Sequence, residues 1–257
     1  MRPILIGAGR GRRLAHMTEE VPKTLVPAMG RPMLDWILEA LAAAGYQKRD
    51  VVFVCGYRAD VLRARYPEFT YVENRSWETN NILLSLLCAR EHMADGFLSS
   101  YTDILFRGSV VEALVASPYD KVLACDTDWR RRYRDRTQHP ETDGEKLRAD
   151  GDRVVELSRT IAPEAAQGEF IGVTKFSREG ARELLAAFDA AGARFQGGLD
   201  REYREGRTFE RAYLIDLFQA MIEDGSVFHR VDTDGGYMEL DTLEDLSFAA
   251  KWWSESR

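Results

Sequence analysis

The chain has 257 residues, with 35 basic and 42 acidic side chains giving a formal net charge of -7. That length buries a core without disulfide or metal staples, and the acidic balance argues against a general nucleic-acid binder. No apolar stretch reaches membrane-spanning length, and the short N-terminal apolar run meets glycine at once, unlike a signal peptide.

Three cysteines, Cys55, Cys88 and Cys125, form no CxxC and read as small core residues. A reducing cytoplasm is the expected setting. In chain order, Pro3 to Ile6 reads as a strand that runs into alternating Gly7, Gly9 and Gly11 and then arginines. RPMLDWILEALAAAG reads as a helix, with Pro32 in its first turn, Leu34, Ile37, Leu38 and Leu41 as its apolar stripe and Gly45 at its end. Asp50 to Gly56 and FTYVEN read as strands around a short helix from Asp60 to Tyr66. Asn80 to Met93 reads as a helix, then Phe97 to Phe106 and Lys121 to Asp126 as strands. This rhythm predicts an α/β protein with a largely parallel sheet and helices on both faces.

The rhythm breaks at Trp129 to Lys146, which is polar and arginine-rich without a period. KLRADGDRVVELS then predicts a hairpin around Asp-Gly, and FIGVTKFS a strand. Arg178 to Ala191 and Arg211 to Asp224 read as helices, VFHRVDTDGGYMELD as extended chain around a Gly-Gly turn, and Thr242 to Ser254 as a last helix. The expectation is one domain over residues 1–257. It divides into a regular first half, 1–126, and an elaborated second half, 127–257.

Gly7, Gly9 and Gly11 let backbone N–H groups approach phosphates, and the adjacent arginines offer planar forks for their oxygens. A dinucleotide fingerprint wants its third glycine one place later, and a P-loop wants Gly-Lys-Ser/Thr. The plain alternative is a tight turn with arginines facing solvent.

GAGRGRRL, followed by Pro22-Lys23-Thr24-Leu25-Val26-Pro27 and Gly30-Arg31-Pro32-Met33-Leu34, resembles the signature of nucleotidyltransferases that join an NTP to a phosphorylated small molecule. The chain departs mildly in having Ile6-Gly7 where two alanines are common. The resemblance implies a Rossmann-like three-layer fold with a mostly parallel mixed sheet. It implies a triphosphate loop with Ala8, Gly9 and Gly11, and phosphate contacts from Arg13 and Lys23. NRSWETNNILLSLL is similar to a segment of bacterial phosphocholine and 2-aminoethylphosphonate cytidylyltransferases that lies beside cytosine. By that likeness Thr79, Asn80, Asn81 and Ser85 are base-contact candidates. Amides and hydroxyls satisfy a cytosine edge, although Thr79 or Asn80 also suits a helix N-cap.

Nucleotidyl transfer gathers several negative charges, which cationic side chains and Mg²⁺ offset. Mg²⁺ prefers one or two carboxylates with phosphate oxygens and water. The resemblance matches Asp103, in FLSSYTDILF, and Glu239 and Asp241, in YMELDTLEDL, to the metal-binding acids of the family. Two apart on a strand, Glu239 and Asp241 share a face. Asp241 with Glu244 also fits a capping box for the last helix.

The implied reaction joins CMP from CTP to a small phosphorylated or phosphonylated acceptor, with no nucleic acid or membrane involved. Arg159 is the candidate for the acceptor phosphate, with Lys146 and Lys175 as alternatives. Trp129, Tyr133 and Tyr237, with Tyr203, offer aromatic walls for a trimethylammonium. Asp126, Asp128 and Asp135 offer carboxylates for a primary ammonium, and His139 a phosphonate contact. The rival readings are a sugar-1-phosphate nucleotidyltransferase using UTP or dTTP, and an inactive ligand-sensing homologue.

Overall fold

A computed structural model describes residues 1–195 and 201–255. Its strands are β1 (Arg2–Ile6), β2 (Pro27–Ala28), β3 (Arg31–Pro32), β4 (Val52–Cys55), β5 (Thr70–Glu73), β6 (Phe97–Tyr101), β7 (Ile104–Phe106), β8 (Lys121–Asp126), β9 (Lys146–Asp150), β10 (Arg153–Ser158), β11 (Gly168–Phe176), β12 (Glu202–Arg204), β13 (Arg207–Thr208), β14 (Phe228–Thr233) and β15 (Tyr237–Glu239). Its α-helices are α1 (Met33–Ala43), α2 (Ala59–Arg65), α3 (Ile82–Leu87), α4 (Gly108–Ala116), α5 (Arg130–Tyr133), α6 (Arg178–Phe195), α7 (Leu214–Glu223) and α8 (Leu243–Glu255).

Nine strands form one sheet in the order β5-β4-β1-β6-β11-β8-β14-β10-β9. β5, β4, β1 and β6 are mutually parallel, as are β8 and β14. β11 runs against β6 and β8, and β10 against β14 and β9. The sheet is therefore mixed, with β10 and β11 opposed to the rest.

Strand alternation sends residues to two faces. Ile4, Ile6, Leu123 and Cys125 join α3, α6 and α7 in one core. Leu5, Phe53, Val122 and Ala124 join α1, α2 and α4 in another. These two cores make three layers, helix on sheet on helix. In α1, Leu34, Ile37 and Leu41 are buried as their spacing predicts. Gly45 follows in the left-handed region, φ 87°, where it costs little strain. Cys55 and Cys125 are fully buried, while Cys88 is half-buried against the first core. No described helix is long and apolar enough to cross a membrane.

Three local expectations differ from the structure. The helix expected from Asn80 to Met93 is only Ile82–Leu87, and a separate 3₁₀ turn follows at Arg90–His92. The strand expected from Phe97 to Phe106 breaks at Thr102-Asp103. β6 stays in the main sheet while β7 pairs antiparallel with β15, Glu239 opposite Ile104. The extended run 227–241 splits likewise, β14 to the main sheet and β15 to β7. A third apolar cluster, with Leu14, Met33, Leu105, Met238 and Trp252, seats this small ribbon and α8 against the start of α1.

Candidate active site

β1 and β6 end side by side, Ile6 opposite Tyr101. The loops leaving their C-terminal ends therefore share one crevice, the usual ligand position in an α/β sheet. Gly7 fits there because a Cβ would lie 2.6 Å from both the Phe53 ring and Thr102 Oγ1. Gly11 has φ 73°, and a Cβ would lie 2.7 Å from the Lys23 stem. The glycine loop is thus folded directly onto the lysine. Gly9 has open space where its side chain would be.

Lys23 donates to Asp103 at 2.8 Å and also to Asp241. The other Asp241 oxygen accepts from Arg13. Burial disfavours the Lys23 ammonium, but Asp103 and Asp241 outweigh it and raise its pKa. Burial likewise works against the Asp241 carboxylate, and Lys23 and Arg13 reverse that, holding it well below the usual range. Burial pushes the Glu239 carboxyl well up, and the neighbouring Asp241 and Asp103 charges add to this.

The β7–β15 ribbon brings these acids together, because its register sets Glu239 beside the residue after Asp103. The Leu240 N–H donating to the Asp103 carbonyl at 2.9 Å fastens the same corner. His139, Glu239 and Asp241 hold ligand-type atoms within 4.8 Å of one another. His139 Nε2 lies 3.4 Å from Glu239 and 3.9 Å from Asp143. Its Nδ1 is buried without a partner. Burial and then Arg136 lower the His139 pKa.

The capping-box expectation for Asp241 does not hold. Thr242 Oγ1 accepts the Asp245 N–H, and Asp245 accepts the N–H groups of Asp241 and Thr242. Glu244 instead accepts from Thr137 and Gln138. The box is one residue later than the spacing indicated, which leaves the Asp241 carboxylate to face Lys23.

Two cavities meet at this cluster. One, of about 280 Å³, is lined by the glycine loop, Lys23, Trp77, Asn80, Asn81, Ser85 and Asp103. The other, of about 300 Å³, is lined by Tyr101, His139, Glu145, Arg159, Tyr213 and Tyr237, among others. They share Arg13, Asn81, Asp103 and Asp241, so they form one continuous cleft.

On the first side, Asn80 exchanges two hydrogen bonds with the buried Asn74, at 2.9 and 3.1 Å, and Asn74 also donates to Ser85. The N-cap of α3 is Asn81, whose Oδ1 accepts the Ile82 N–H at 2.8 Å. Thr79 is exposed outside the cavity, its hydroxyl donating to the Ser76 carbonyl at 3.1 Å. Neither Thr79 nor Asn80 caps the helix. Asn74 and Trp77 lie within the NRSWETNNILLSLL segment but are not singled out there, and Thr102 carries no motif signal, so its position in the folded chain alone reveals it.

On the second side, Arg159 and Tyr237 line the cavity. Arg159 pairs with Asp143 at 3.1 Å. The other acceptor-facing expectations are corrected. Trp129 is 2% exposed and packs on Tyr133. The Tyr133 hydroxyl donates to Glu169 at 2.6 Å. Lys146 donates to the Gly144 and Glu141 carbonyls at 3.1 and 3.3 Å. Lys175 donates to the Ser117 carbonyl, and Tyr203 packs among Phe195 and Phe209. Asp126 receives Arg132, Asp128 pairs with Arg131, and Asp135 with Lys251.

Part of the arginine-rich stretch therefore turns inward, while Arg130, Arg131 and Arg134 stay exposed. Arg132 bridges Asp126 and Glu169 under the Tyr237 ring, and Arg136 joins Asp245 to the Glu239 carbonyl. Full burial of a charge requires such pairing. Trp129, Arg132, Tyr133 and Arg136 support the cleft instead of lining it, while His139, Asp143 and Glu145 of the stretch reach the cavity.

Residues 4–197 match the MobA-like NTP transferase domain. The CTP:phosphoglutamine cytidylyltransferase of Campylobacter jejuni is 27% identical over 96% of this chain and 98% of its own. The choline-phosphate cytidylyltransferase of Streptococcus pneumoniae is 29% identical over 52% of this chain and 60% of its own. The solved structure of the CTP:phosphocholine cytidylyltransferase from Streptococcus pneumoniae shares the fold. Its TM-score is 0.69 at 18% identity, and 99% of each chain is covered. The chain belongs to the MobA-like NTP transferase family and is a nucleotidyltransferase, as its glycine loop and PKTLVP segment implied.

Proposed function

We propose that the protein transfers CMP from CTP to a small phosphorylated or phosphonylated amino compound, with release of pyrophosphate. The carrying observation is the continuous cleft, in which a glycine-loop cavity and an ionisable second cavity meet at Arg13, Asp103 and Asp241. A phosphate or phosphonate oxygen of the acceptor attacks the α-phosphorus of CTP. A new P–O bond forms, and the bond to the β-phosphate oxygen breaks with pyrophosphate leaving. Charge neutralisation dominates such a step, and no protein nucleophile is needed.

In this reading Arg13 and Lys23 neutralise the charge that builds on pyrophosphate. The backbone of Ala8, Gly9 and Gly11 cradles the phosphates, and Asn80, Asn81 and Ser85 face the base. Asp103, Glu239 and Asp241 are the acids for Mg²⁺. The donor set fits a hard divalent ion, because Asp103 and Asp241 already share one cation, the Lys23 ammonium. When bound, the metal supplies Lewis-acid stabilisation of phosphate charge. The choice of CTP and of an amino-type acceptor is supported by the two cytidylyltransferase relatives and by the TNNI segment.

The test is pyrophosphate release across a matrix of CTP, UTP, dTTP, ATP and GTP. It crosses them with phosphoglutamine, phosphocholine, phosphoethanolamine, 2-aminoethylphosphonate and sugar-1-phosphates. Turnover only with UTP or dTTP and a sugar phosphate would move the function to the sugar-nucleotide class. Ligand binding without turnover in any combination would favour a sensing role.

A further inference from the structure

The second cavity holds a carboxylate that nothing in the reaction uses. Glu145 lines it with Tyr101, Arg159, Tyr213 and Tyr237. Every other acid there is engaged. Asp143 pairs with Arg159, and Glu169 with Arg132 and Tyr133. Glu239 faces His139, while Asp103 and Asp241 share Lys23. Among the described residues, no Lys, Arg or His nitrogen lies within 4.0 Å of the Glu145 carboxylate. Among the described residues its one side-chain hydrogen-bond partner is the neutral Tyr101 hydroxyl, which donates to Oε2 at 3.1 Å. The Phe170 N–H, donating to the Glu145 carbonyl at 2.7 Å, holds the backbone in place.

The aromatic walls are already committed. The Tyr237 ring carries the Arg132 guanidinium at 4.4 Å. Tyr213 carries Arg159 at 5.0 Å and Arg207 at 4.7 Å. The Tyr101 ring is closed on one side by Gly172, where a Cβ would come within 2.3 Å. A trimethylammonium needs open aromatic faces and donates no hydrogen bonds. A primary ammonium donates three, and a desolvated carboxylate accepts them strongly.

We propose that Glu145 receives the primary ammonium of the acceptor, so that the enzyme selects primary amines over their trimethylated counterparts. Tyr101 is the positioning residue that fixes the carboxylate. Arg159 lies in the same cavity as the cation for an acidic group at another part of the acceptor. The assignment rests on the reading of this cavity as the acceptor site. Burial pushes the Glu145 carboxyl up to about 8, with Arg159 opposing from a distance, as expected of a carboxylate with no cation in direct contact.

The test measures binding to the full chain by calorimetry, without CTP, so that it does not depend on turnover. The probes are three matched pairs. They are phosphoethanolamine and phosphocholine, 2-aminoethylphosphonate and its trimethylated form, and phosphoglutamine and its α-N-acetyl form. The wild type is expected to bind the primary amine of at least one pair roughly tenfold or more tighter, the scale of one charged hydrogen-bonded contact. Glu145→Gln, isosteric and tolerant of burial, is expected to abolish that preference while staying folded, with no loss of melting temperature, and keeping its affinity for CTP. Tyr101→Phe is expected to weaken it partway.

Equal or tighter binding of the blocked amine in every pair overturns the proposal. So does an undiminished preference in Glu145→Gln, or the absence of binding by any amine. The functional reading fails separately. Cytidylyl transfer that prefers phosphocholine would keep that reading and remove this one. A Glu145-dependent amine preference with no cytidylyl transfer would do the reverse.

Discussion

Asp241→Asn separates the roles of the most connected acid in the cleft. Asp241 is 2% exposed, and each of its oxygens accepts from a cation, Lys23 or Arg13. Asparagine keeps the shape and removes the charge. Stranding a fully buried partner costs about 3–5 kcal/mol, but neither partner is stranded here. Lys23 keeps Asp103 at 2.8 Å, and the Arg13 side chain is 56% exposed, so water replaces much of the loss. The expected cost is about 1–2 kcal/mol, the low end for charged hydrogen bonds. For a chain of this size that is a fall in Tm of roughly 3–6 °C. The start of α8 is unaffected, because Thr242 and Asp245 cap it.

Activity responds on another scale. Removing one group that stabilises developing charge lowers kcat by about 10²–10³. The assay is pyrophosphate release against Mg²⁺ concentration, alongside melts from pH 3 to 8. A carboxyl whose folded pKa is depressed stabilises the fold fully above its unfolded value, about 3.9, and loses that contribution as pH falls below it. The Tm gap between wild type and Asp241→Asn is therefore expected to stay level near neutral pH and to close below about pH 4. An Asp241→Asn enzyme with unchanged kcat at every Mg²⁺ concentration would refute the assignment. A gap that widens in acid would refute the electrostatic account.

Lys23→Ala leaves Asp103 and Asp241 facing each other without their shared cation and is expected to lower kcat by roughly 10² or more, measured by single-turnover kinetics. Gly11→Ala places a methyl 2.7 Å from the Lys23 stem at a left-handed φ, so Tm and kcat should both fall, the backbone alone costing about 1–2 kcal/mol. Gly9→Ala, which meets open space, should spare Tm and weaken CTP binding by titration. Trp129→Ala is expected to cost about 3–5 kcal/mol in chemical denaturation, the scale of a deleted buried aromatic, while the acceptor KM of the folded protein holds. Glu145 has a folded pKa raised to about 8, so the folded state holds an extra proton between its unfolded value and 8, and stability falls as pH rises through that window. With Tyr101, Arg159, Glu169 and Asp216 as the charged or titratable groups acting on it, Glu145→Gln should gain Tm over wild type as pH rises from about 5 to 8.

The sequence alone determined the alternating strands and helices, because period and punctuation are local properties. Ile4, Leu5 and Ile6 alternate between two cores, and of the α1 stripe Leu34, Ile37 and Leu41 are buried as spaced while Leu38 is half-buried against the second core. The glycine loop and PKTLVP were legible for a similar reason. Close backbone approach and a left-handed turn admit few residue types, so Gly7 and Gly11 are written in the chain. Tertiary structure decided whatever depends on which partner a side chain meets. Nothing local says that the strand after Phe97 breaks at Asp103 and hands β7 to β15, yet that register brings Asp103 to Glu239 and Asp241. Thr242 rather than Asp241 caps α8, because Arg136, more than a hundred residues upstream, orients Asp245. Trp129 and Tyr133 read as ligand-facing walls, and nothing local marked Arg132 and Arg136 as interior. They are buried because Asp126, Glu169 and Asp245 wait for them in the interior, and a buried acid gains more from a paired guanidinium than from solvent it cannot reach. Glu145 was invisible for the converse reason, since its significance is the absence of a directly paired cation, a property of the folded neighbourhood alone.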